Sequence, residues 1–101
     1  MAKSKNPFYA QVGRTDAGSF RITVRAKNPN EQHGKYRQLA VCVYKLAAEM
    51  ERRAEAMGAD WVVSAQVFNA RIDLELTEGD DEQAAGRFVT KVLADMGLTG
   101  R

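Results

Sequence analysis

Residues 61–76 read Trp61-Val62-Val63-Ser64-Ala65-Gln66-Val67-Phe68-Asn69-Ala70-Arg71-Ile72-Asp73-Leu74-Glu75-Leu76, and the parity of their apolar positions decides the fold. Trp61, Val63, Ala65 and Val67 fall on odd numbers, whereas Ile72, Leu74 and Leu76 fall on even ones. Because strand side chains alternate between faces, one unbroken strand would turn these two sets in opposite directions. A turn near Phe68-Asn69-Ala70 brings them to one face, with Asn69 the expected left-handed residue. The segment therefore reads as a hairpin.

The same logic applies upstream. Phe8, Ala10 and Val12 alternate with Tyr9 and Gln11; after the turn-rich loop of residues 13–19, Phe20, Ile22, Val24 and Ala26 alternate with Arg21, Thr23, Arg25 and Lys27. This second strand has one apolar and one basic face. Between the hairpins, apolar residues at 36, 39, 40, 43, 46, 47, 50, 54 and 57 keep helical spacing, with Asn30 as the expected N-cap and Gly58 as the stop. A second helix follows the break at residues 78–81, with Asp80 or Asp81 as its cap, apolar positions from Ala84 to Met96, and Gly97 as its end. The expected order is ββαββα. An α+β domain results: a four-stranded antiparallel sheet with both helices on one face and water on the other.

Two further readings concern organisation. Ala10-Gln11-Val12 recurs as Ala65-Gln66-Val67, Arg21-Ile22 as Arg71-Ile72, and Glu31-Gln32 as Glu82-Gln83, which suggests one ββα unit written twice (residues 8–58 and 59–97). The single domain is expected over residues 7–97, after a mobile basic tail at 1–6 and before a frayed end at 98–101. A helix of some twenty residues outruns a seven-residue strand, so the last turns of helix 1, with Arg52, Arg53 and Met57, should project past the sheet.

Composition limits the chemistry. The chain has 101 residues, a net charge of +2 and one cysteine, Cys42, which can form no disulfide within the chain and reads as a buried thiol. No apolar run is long enough to span a bilayer, and a cytoplasmic location with no membrane contact is expected. Charge is uneven: residues 1–58 carry 11 Lys and Arg against 5 Asp and Glu, and residues 59–101 carry 4 against 8. Such asymmetry points to a charged partner or to halves that face one another.

His33, the only histidine, has no companion nucleophile and reads as a solvated surface residue. The acids from Asp73 to Glu82 lack the ordered spacing of a calcium loop, and the glycines form no phosphate-binding pattern. No enzyme, cofactor or metal is expected. The constellation with the most chemistry is the first hairpin's polar face: Tyr9, Gln11, Arg14, Arg21, Arg25 and Lys27, an aromatic ring among cations, with Lys3 and Lys5 extending it. Rings stack on bases while Arg and Lys neutralise phosphates, so nucleic acid is the expected partner, single-stranded or RNA ahead of a specific duplex. The competing reading pairs Arg21, Arg25 and Lys27 with Asp73 and Glu75 across strands and consumes that charge. A protein-binding adaptor or small inhibitor, of the phage or mobile-element type, is the alternative. It would act through the charged face, a sheet edge or helix 1, with a homodimer as one form.

Overall fold

The computed structural model describes residues 6–15, 18–31, 34–77 and 79–99. Its elements are β1 (Phe8–Arg14), β2 (Phe20–Ala26), α1 (Tyr36–Ala56), β3 (Val62–Gln66), β4 (Arg71–Glu75) and α2 (Glu82–Asp95), with short 3-10 turns at Pro29–Glu31 and Val67–Asn69. The strands form one antiparallel sheet in the order β1-β2-β4-β3. The fold is the α+β arrangement ββαββα.

Period-2 burial shows why the helices share one face. Phe20, Ile22, Val24 and Ala26 on β2 and Ile72 and Leu74 on β4 are buried, and they meet Leu39, Val43, Leu46 and Met50 from α1 and Ala85, Phe88, Val89 and Val92 from α2. Each fully covered aliphatic side chain contributes about 1.5–3 kcal/mol relative to exposure, so this layer is the main source of stability. Trp61 closes one end against Phe88, edge to face with ring centroids 5.0 Å apart.

Local sequence sets the boundaries, not always where expected. Asp81 caps α2, accepting from the backbone N–H of Gln83 and Ala84, while Asp80 instead accepts from Thr77 N–H at 2.6 Å. Gly58 and Gly97 take positive φ after the two helices. Asn30 does not cap α1. The Asn28 side chain accepts from Asn30 N–H at 3.1 Å, a local turn within which the 3-10 segment forms, and α1 begins at Tyr36. In the second hairpin the left-handed residue is Ala70 (φ 50°) rather than Asn69, whose side chain donates to Gln66 Oε1.

Asn6 and Leu98, which lie near either end of the described residues, make defined contacts. Asn6 Oδ1 accepts from Phe8 N–H, and Asn6 Nδ2 donates to Met96 O. Leu98 is completely buried and its carbonyl accepts from Ala10 N–H at 2.9 Å. Residue 98 therefore belongs to the folded unit and closes part of the outer edge of β1. The basic residues Lys3 and Lys5, together with His33, Glu78 and residues 100–101, lie outside the described residues.

The strand order is symmetric about the β2–β4 seam, where Ile22 stands directly opposite Ile72. The recurrent Arg21-Ile22 and Arg71-Ile72 thus occupy equivalent positions. The Ala-Gln-Val recurrence does not: Val12 faces Ile22 and Ala65 faces Ile72, so Val12 and Ala65 correspond, two residues out of step with the sequence match. A tight 3-10 turn joins β3 to β4, whereas a longer loop joins β1 to β2, and this difference in turn geometry accompanies the shift.

Candidate nucleic-acid interface

Strand register places the polar side chains of the open sheet face in rows. Gly13, Arg21, Asp73 and Ser64 line up across the four strands, as do Gln11, Thr23, Arg71 and Gln66, with Tyr9 beside Arg25 at one end and Val62 beside Glu75 at the other. β2 supplies most of the positive charge because its odd residues are Arg21, Thr23 and Arg25, with Lys27 following in the same alternation.

The cations differ in their commitments. Arg21 Nε donates to Asp73 Oδ1 at 3.2 Å, the cross-strand pair that the competing sequence reading anticipated. Arg71 approaches the same carboxylate from the other side, its Nε 3.6 Å from Asp73 Oδ2. That Nε is buried and has no hydrogen-bond partner among the described residues. Arg25 Nε donates to the neutral Gln11 Oε1 at 2.9 Å, which fixes the guanidinium without neutralising it. Neither Arg25 nor Lys27 makes an ion pair among the described residues.

Two expected site residues are placed differently. Tyr9 is only 8% exposed, so its ring offers no open surface for a base to stack upon. Arg14 is the last residue of β1 and shares the parity of the core-facing set. Its guanidinium lies over the Phe20 ring, 4.5 Å from the centroid, and bonds Glu82 at the start of α2 at 2.9 Å. Arg14 therefore joins the sheet to the helix layer. Arg71, which was not among the expected site residues, takes its place on the open face; its odd number, shared with Asp73 and Glu75, was the available signal. A shallow depression of about 650 Å³ lies at the hairpin end of this surface, bordered by Gln11, Arg14, Arg21 and Thr23.

A second concavity, about 510 Å³, runs between the end of α1 and α2. Ala56, Met57, Ala84, Phe88 and Val92 make its apolar floor, and Arg52, Arg53, Arg87 and Lys91 its rim. Sequence reading had singled out Arg52, Arg53 and Met57 but missed Arg87 and Lys91, whose i, i+4 spacing on α2 was visible. Glu49 accepts from Arg52 and from Arg53, each at 2.6 Å at the shortest, and Arg53 also donates to Asp95 at 2.8 Å. Those hydrogen bonds hold the Glu49 carboxyl down at about 2 and lower that of Asp95. Cys42 is half-buried, and desolvation raises its thiol above the ordinary value, which favours the neutral S–H.

Among the described residues, no group of three or more His, Cys, Asp or Glu is placed to hold a metal ion, and no helix is long and apolar enough to cross a membrane. These features define a small α+β domain with one polar, arginine-bearing sheet face. No protein-family model, curated protein or solved structure matches the chain.

Proposed function

We propose that the chain is a non-enzymatic binding module that contacts nucleic acid through phosphate groups on the open sheet face. The observation that carries this reading is the arrangement of Arg25 and Lys27, free of acidic partners among the described residues, beside Arg21 and Arg71 held on either side of one carboxylate. Four cations against Asp73 and Glu75 leave the face positive. Thr23, Ser64 and Gln66 add uncharged hydrogen-bonding groups in the same rows. With Tyr9 covered, base stacking drops out of the expected chemistry and phosphate contact remains, so binding should depend little on sequence. A reducing cytoplasm would suit the lone thiol of Cys42.

Fluorescence-polarisation titration of labelled single-stranded RNA, single-stranded DNA and duplex DNA tests the reading. About three effective phosphate contacts give a slope of log K against log salt near −2 to −3. Arg21→Glu combined with Arg25→Glu should abolish binding; absence of binding at low salt, or binding indifferent to that double variant, rejects the sheet face as the site.

The α1–α2 groove supports a second reading, a protein-binding adaptor, because its apolar floor matches the apolar face of an amphipathic helix. Arg87 is the rim cation with no ion pair among the described residues, while Arg52, Arg53 and Lys91 are paired with Glu49 and Asp95. Lys91→Glu with Arg87→Glu would abolish capture of such a peptide and leave nucleic-acid binding intact.

A further inference from the structure

We propose that the outer edge of β3 is the docking strand for a second copy of this chain, giving a two-fold dimer with a continuous eight-stranded sheet. The hydrogen-bond ladder identifies which backbone groups are available. Val24 N–H donates to Ala70 O, and Lys27 N–H donates to Pro7 O. Antiparallel strands alternate hydrogen-bonded with non-hydrogen-bonded pairs, so even residues of β2 bond β4 and odd ones bond β1. Carried across the observed registers, this turns Arg71, Asp73 and Glu75 toward Val62, Ser64 and Gln66. Val63 and Ala65 are left with N–H and C=O groups directed outward, and no described residue pairs with them.

The two edges of the sheet are treated differently. On β1, the Leu98 carbonyl takes the Ala10 N–H and covers that part of the edge, leaving the Val12 groups outward. On β3, the sequence Val62-Val63-Ser64-Ala65-Gln66 contains no charge and no proline, the devices by which exposed edges normally avoid pairing. Apolar surface accumulates on the same side. Val62 is 50% exposed, and Phe68, on the turn that follows, is 92% exposed.

The occupant is a second copy because the edge is complementary to itself. An antiparallel pairing centred on Ser64 places Val63 opposite Ala65 of the second copy, so each outward donor meets an outward acceptor. It sets no like charges face to face along Val62–Gln66. A strand of this length is too short to hold a stable dimer alone, since specific interfaces bury roughly 1,200–2,000 Å². Helix α1 supplies more. Its flank bearing Cys42 and Arg53 faces the C-terminal segment and α2. Tyr44, two residues and about 200° on from Cys42, lies on the opposite flank, above the β3 side, and is 62% exposed.

Sedimentation velocity across micromolar to submillimolar protein tests the proposal without any nucleic acid, so its outcome is separate from that of the titration above. The expected species is twice the 11.2 kDa chain. Ser64→Lys, which opposes two ammonium groups at the dyad, and Ala65→Pro, which removes an outward N–H, should each give monomers with unchanged far-UV circular dichroism. Val12→Lys on the β1 edge should leave the dimer intact. A monomeric wild type, or a dimer that survives Ser64→Lys, overturns the proposal.

Discussion

At the scale of single residues, Gly86 carries a direct prediction. It lies inside α2, where glycine costs about 1 kcal/mol relative to alanine, and a Cβ there would sit 3.7 Å from Phe20 Cζ, an ordinary contact. Gly86→Ala should therefore raise stability by about 0.5–1 kcal/mol, read as a higher urea midpoint at unchanged slope. Residue-level chemistry was unevenly legible. Arg21 with Asp73 could be foreseen because parity places both on one face, and strand pairing then makes them neighbours. The burial of Tyr9 could not, because alternation reports which face a side chain leaves from and nothing about what covers that face. The placement of Arg14 was hidden for a related reason: at a strand end, its long guanidinium lies over Phe20 and pairs with Glu82, a helix residue remote in sequence.

Elements were more legible than the joints between them. Periodicity over Phe20–Ala26, Tyr36–Ala56 and Glu82–Asp95 identified strand and helices because each buries one face in a shared layer. The 3-10 turn Pro29–Glu31 takes up Asn30, and α1 begins at Tyr36; in the second hairpin the turn residue shifted from Asn69 to Ala70, where the Asn69 side chain bonds Gln66. Between α1 and α2 the bridge from Glu49 through Arg53 to Asp95 links pH to stability. The folded value of Glu49, about 2, lies below its ordinary 4.5, and Asp95 is lowered in the same sense. Their contribution is therefore fully present above about pH 4.5 and is lost as pH falls toward 2. Arg53→Gln should flatten the fall in Tm across that window in a series of thermal melts at stepped pH; an unchanged slope would mean that the bridge carries no linkage.

For the whole molecule, the ββαββα order followed from sequence, whereas the functional surface needed the strand order. The β2–β4 seam brings Arg21 to Asp73, 52 positions away, where Arg71, on the same strand as Asp73, also reaches that carboxylate. The same seam places the basic strand centrally, so the cations of β2 and the acids of β4 share one face. Leu98 has a wider consequence. Sheets that expose two free edges can grow without limit, whereas a sheet with one edge locked can join one neighbour and then has nowhere left to extend. If copies pair through β3 as proposed, the buried Leu98, pinned to Ala10, would cover part of the opposite edge of each sheet and obstruct a further copy there. Leu98→Asp should unseat that lock and convert a finite species into open-ended, fibre-like material, seen as rising light scattering and thioflavin fluorescence on warming. Adding Ser64→Lys to the same variant should suppress the growth, since polymerisation needs both ends of the sheet.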